Sequence, residues 1–73
     1  MTGLTERESQ IVDLIAQGKA NKQIAFALGL TTGTVKEYLV RIFRKLGVSN
    51  RVELAVWAIG VGRVEAHHLG QGI

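Results

Sequence analysis

Five of the nine Lys and Arg residues (Lys36, Arg41, Arg44, Lys45 and Arg51) fall between positions 36 and 51. Glu37 and Asp13 are the only acids between Glu8 and Glu53. Side chains of this kind are N–H donors with a fixed positive charge, and grouped together they suit a polyanion. Nucleic acid and an anionic membrane surface both meet that description. So does an ordinary solvated helix face, which needs no ligand at all. The net charge of the chain is only +3, so the grouping carries more information than the total.

The element that must present these cations runs from Thr31 to Leu46, TTGTVKEYLVRIFRKL. At helical period Val35, Leu39, Ile42 and Leu46 form one stripe, flanked by Phe43 and Tyr38. Lys36, Glu37, Val40, Arg41 and Arg44 fall on the opposite side. One face can pack on other helices while the other offers cations, a carboxylate and one isopropyl group to the outside. Thr31 or Thr32 can cap the start, because a hydroxyl accepts from the unpaired N–H groups of the first turn. Gly47 stands where a left-handed residue would end the helix.

The remaining chain reads as support. Thr5-Glu6-Arg7-Glu8 has the form of a capping box, and Ile11, Val12, Ile15 and Ala16 make the apolar stripe of a first helix that stops near Gly18. Asn21 is expected to cap a second helix with Ile24, Ala25 and Leu28 facing inward. Gly29 and Leu30 then leave so short a connection that the second and third helices must cross steeply, as in a helix-turn-helix. Asn50 and Glu53 repeat the capping logic for a fourth helix. That helix is apolar on every side, and Leu54, Trp57 and Val61 share a face that either closes the domain's own core or pairs with a second copy. Phe26 points away from its helix's inner face and reads as a partly covered surface aromatic. The expectation is therefore an all-α, four-helix bundle with a central helix-turn-helix. Its helices are expected at about 5–17, 21–28, 32–46 and 50–61, in one domain over 1–62, with a frayed tail over 63–73.

Several classes are excluded or disfavoured. Cysteine is absent, so neither a disulfide framework nor a thiolate metal site can form. His67 and His68 would point apart and have no third ligand at metal spacing, so no metal and no cofactor is expected. Neither a nucleophile–base pair nor a phosphate-cradling glycine loop occurs, and catalysis is not expected. The longest apolar run, near Leu54 to Val64, is broken by Gly60, Gly62 and Arg63 and cannot span a bilayer. No export leader precedes Leu4, which points to the cytoplasm.

From Leu4 to about Ile59, the motifs LTERE, IAQG, NKQIA, TVK and KLGVSNR closely resemble the LuxR/GerE-type DNA-binding domain, the output module of many bacterial response regulators and quorum-sensing receptors. The resemblance implies sequence-specific binding of double-stranded DNA for transcription regulation, close to the nucleoid, with helix 32–46 in the major groove. It also implies a homodimer through the C-terminal helix (Leu54, Trp57 and Val61), with RNA polymerase a further candidate partner. By position, it implies that Thr34, Lys36, Glu37, Val40 and Arg41 face the groove, with Lys36, Glu37 and Val40 as base contacts, and that Lys22 anchors a phosphate, with Lys45 and Arg51 weaker candidates for the same work. Side-chain chemistry adds Thr34, Tyr38, Arg41 and Arg44 as phosphate contacts. The chemistry agrees. Lys36 can donate to guanine O6 and N7, Val40 can touch a thymine methyl, and Arg41 and Arg44 can grip phosphates. Three positions depart from the family's usual residues: Glu37 is often apolar, Tyr38 often His, and Val40 often polar or basic. Glu37 is expected to pair with Arg41 one turn on.

Two rivals remain at this stage, a sigma-factor-like promoter-reading domain and a helical protein-interaction module anchored by Phe26 and Trp57. Salt separates the DNA and protein classes. Retention on duplex DNA should weaken steeply between about 50 and 200 mM salt, because phosphate neutralisation releases counterions. Salt-insensitive association with a protein and no retention on DNA would select the interaction module.

Overall fold

The computed structural model describes residues 3–61, and the tail expected at 63–73, with His67 and His68, lies outside them. Four helices follow in order: α1 (Glu6–Ala16), α2 (Asn21–Leu28), α3 (Thr32–Leu46) and α4 (Arg51–Gly60). α1 packs chiefly on α4 and α2 on α3, while α1 also reaches α2 and α3. The core forms where these contacts meet. Ile11, Val12 and Ile15 of α1, Ile24 and Ala25 of α2, Val35, Leu39 and Ile42 of α3, and Leu54 and Ala58 of α4 are all buried in it.

Capping explains where the helices begin. The Thr5 hydroxyl accepts from the Glu8 N–H at 3.1 Å, and the Glu8 carboxylate accepts from the Thr5 N–H at 2.9 Å, the reciprocal pair expected from TERE. α2 corrects the expectation for Asn21. Its cap is Ala20, whose N–H donates to Gln23 Oε1 at 2.8 Å. Asn21 sits inside the first turn, and its side-chain oxygen is taken by Arg51 Nη1 at 2.6 Å. Asn50 caps α4 through the Glu53 N–H at 2.9 Å, but Glu53 reaches one residue further back, to the Ser49 N–H at 2.7 Å.

Two turns set the pose of α3. At Gly29 the backbone is left-handed (φ 69°), and the Leu30 N–H closes back on the Ala25 carbonyl at 2.8 Å. That bond joins the Gly29 N–H on the Ala25 carbonyl at the end of α2 and reverses the chain within three residues of α3's first turn. Gly47 ends α3 in the same way (φ 69°), with the Val48 N–H on the Phe43 carbonyl at 3.1 Å. A side chain at either glycine would force a β-carbon into a region that L-residues rarely occupy.

One charged group is enclosed with the core. Glu8 is 2 % exposed, and its Oε1 accepts from Lys45 Nζ at 2.8 Å while Oε2 lies 3.9 Å from Arg41 Nε. Those two cations are themselves 36 % and 50 % exposed, so the carboxylate is shut from water by a thin lid rather than by deep protein. The Lys45 hydrogen bond, then the Thr5 N–H, hold the Glu8 pKa below its ordinary 4.5, against the opposing effect of burial. A depressed carboxylate pKa gives stability that is full above the unfolded value and is lost as pH falls through the folded one. Glu8→Gln should therefore cost about 1–2 kcal/mol near neutrality, a figure reduced by screening at the open cations. The variant should also flatten the loss of stability as pH falls below the ordinary carboxylate value of 4.5, read from urea midpoints. An acid limb as steep in the variant as in the parent would remove Glu8 as its source.

Candidate nucleic-acid interface

α3 is held by one side. Val35 and Ile42 are fully buried and Leu39 nearly so, whereas Lys36, Glu37, Val40, Arg41 and Arg44 are exposed on the opposite side. Thr34 and Tyr38 lie half-buried between the two faces. The division follows the helical period, and the exposed face has no cover from α1, α2 or α4. Val40 keeps 54 % of its surface open, an apolar spot among cations.

The helix start is fixed by hydroxyls. Thr31 Oγ1 accepts from the Thr34 N–H at 3.1 Å and donates to Thr34 Oγ1 at 3.0 Å. With its lone pair so used, the Thr34 hydroxyl still has its own proton to donate outward. Lys22, also exposed, stands in the first turn of α2. Phe26, one turn further along α2, is 91 % exposed, barer than expected, beside a shallow groove lined by Leu14, Lys19, Lys22, Gln23 and Ala27.

The cations divide into two sets. Lys36, Arg44 and Lys22 extend from the surface. Arg41 leans back along its own helix, its guanidinium carbon 4.8 Å from the centroid of the Tyr38 ring, a distance at which the ring's negative face attracts a cation. The expected Glu37–Arg41 pair does not form, because Arg41 turns to Tyr38 and Glu8 instead. Lys45 serves the interior, donating to Glu8 and, at 3.4 Å, to the Gly3 carbonyl. Arg51 does likewise, joining the start of α4 to Asn21 and to the Lys19 carbonyl. Both were candidates for phosphate, and both are occupied as struts.

On α4 the structure separates the residues expected to act together. Leu54 is fully buried and closes the monomer's core, so it cannot meet a second copy. Trp57 is half-buried against that core, and Val61 is 54 % exposed at the helix end. The outward apolar residues are Val52 (72 % exposed) and Val56 (64 %), which the sequence reading did not single out. An all-apolar helix carries no periodic signal to show which side turns inward.

A family model described as bacterial regulatory proteins, luxR family, matches residues 2–58. The chain is 52% identical over 52 residues to the transcriptional regulatory protein UhpA of Escherichia coli, covering 71% of this chain and 26% of that protein. It is 49% identical over 55 residues to the transcriptional regulatory protein LiaR of Bacillus subtilis, covering 75% and 26%. It is 40% identical over 63 residues to the DNA-binding transcriptional activator DevR/DosR of Mycobacterium tuberculosis, covering 86% and 29%. The chain thus spans about a quarter of the length of the curated relatives it matches. With its four helices, its helix-turn-helix and a match over most of its residues, the chain belongs to the luxR family of bacterial regulatory proteins, of which it is the helix-turn-helix DNA-binding domain.

Proposed function

We propose that this domain lays α3 in the major groove of double-stranded DNA and reads sequence there for transcription regulation, in the cytoplasm and as a dimer. The observation that carries the reading is the two-sidedness of α3, buried along Val35, Leu39 and Ile42 and open along Lys36, Val40 and Arg44. A groove about 12 Å wide admits one helix and leaves only its outward residues near base edges. Lys36, Glu37 and Val40 are the base readers of this proposal. The Lys36 ammonium donates to guanine, Val40 meets a thymine methyl, and Glu37, free of Arg41, accepts from a cytosine amino group. Lys22, Thr34, Tyr38, Arg41 and Arg44 take phosphates and so fix register. Lys45 holds α3 in place from within. No helix among the described residues is long and apolar enough to cross a membrane.

The dimer of this proposal uses the outer face of α4, with Val52 and Val56 at its centre and Trp57 and Val61 at its margin. Their exposure leaves two adjacent valines without cover in the monomer, and a second copy of the same face supplies it. Two α3 helices would then meet half-sites about one turn of DNA apart.

Sites selected from random DNA give the substrate for the test. Lys36→Ala should cost about 1–3 kcal/mol on a selected site and relax preference at one base pair. Lys22→Ala should weaken all sequences alike and lower the salt slope by about one. Equal losses on selected and random duplexes for Lys36→Ala would end its role as a reader of bases. Val56→Glu, at an exposed position, should keep the helical spectrum while abolishing two-protomer complexes in sedimentation. An unchanged two-protomer complex would exclude the valine face.

A further inference from the structure

We propose that Glu8, out of reach of DNA beneath α3, is a positioning residue that aims the Arg41 guanidinium at a backbone phosphate; the proposal rests on the DNA-binding reading above. An arginine on an open helix face samples many rotamers, and freezing them on binding opposes association. Arg41 is restricted before any ligand arrives. Its Nε lies 3.9 Å from Glu8 Oε2, and its guanidinium carbon is stacked 4.8 Å from the Tyr38 ring centroid. Nε is the innermost donor of the group, so these contacts leave the two terminal nitrogens for the outside. Half of the side chain is exposed.

The charge balance makes the arrangement suitable for an anion. Glu8 is already matched by Lys45 at 2.8 Å, so one carboxylate faces two cations and the cluster keeps a positive charge. Glu8 orients Arg41 without neutralising it, and being 2 % exposed it cannot itself repel a phosphate at contact. Pairing with Glu37 on the groove side would have done the opposite. That carboxylate is exposed and would have cancelled the guanidinium where the phosphate must come. At 3.9 Å the Glu8 contact is too long for a hydrogen bond, so it steers by charge and its effect is moderate.

A double-mutant cycle measures that effect, using a random-sequence duplex of about 20 base pairs because a phosphate contact ignores sequence. Parent, Glu8→Gln, Arg41→Ala and the double variant are compared at a temperature where all are folded by circular dichroism. Glu8→Gln should weaken binding roughly three- to tenfold when Arg41 is present and hardly at all when position 41 is Ala. Equal weakening in both backgrounds, or none in either, would overturn the proposal and return Glu8 to a purely structural role. The nitrogen-bound Nε proton of Arg41 in the free protein gives a second readout, by NMR. It should have a shift of its own in the parent and move toward that of solvated arginine in Glu8→Gln, where the Tyr38 ring contact remains. An unmoved signal would also overturn the proposal. Failure of the parent to bind any duplex would instead remove the DNA-binding reading, while the NMR comparison would still report whether Glu8 orients Arg41.

Discussion

A single carboxylate, that of Glu8, ties the start of α1 to the cation-bearing helix α3. It completes the cap of α1, accepts from Lys45 and lies against Arg41. An unpaired charge sealed from water would be strongly destabilising, so the position depends on Lys45 of α3 and on the Thr5 N–H for its partners. Apolar packing can let helices slide or rotate by small amounts, but a hydrogen-bonded ion pair has one register. The outward choice of residues on α3 is set by the burial of Val35, Leu39 and Ile42, and the Lys45–Glu8 contact adds a tie between the last turn of α3 and the start of α1.

Around that contact the backbone supplies the rest of the geometry. The left-handed turn at Gly29 makes the link from α2 to α3 short, and Arg7 donates to the Leu28 carbonyl at 3.4 Å to hold the end of α2 against α1. Arg51 performs the matching task across the molecule, binding Asn21 and Lys19 and so joining α4 to the α1–α2 turn. Three cations are thus used as internal ties, which leaves the outward charge of the domain to fewer residues than the composition suggests. Concentrating it on α3 and the start of α2 gives the field a direction.

Much of this was legible in the sequence. The two faces of α3 follow from its period, and its limits follow from Thr31 and Gly47, all of which are local signals. The capping box at Thr5 and Glu8 was legible for the same reason. What the sequence hid was tertiary. Glu8 and Lys45 are 37 positions apart, and no local pattern marks them as partners. The role of Asn21 was misread because a capping residue beside a helix start looks the same whether it serves its own backbone or a distant arginine. Glu37 and Arg41 have the spacing of a helical ion pair, but a ring one turn away and a buried carboxylate compete better for the guanidinium. On α4 the uniform apolarity concealed that Leu54 turns inward and Val56 outward.

The contact between Lys45 and the Gly3 carbonyl extends the Glu8 tie to the backbone ahead of α1. It places the backbone that leads into α1 directly against the far end of α3, within reach of the same ammonium that holds Glu8. One ammonium thus joins the approach to α1, the cap of α1 and the last turn of α3, so that losing the Lys45 side chain would release all three together.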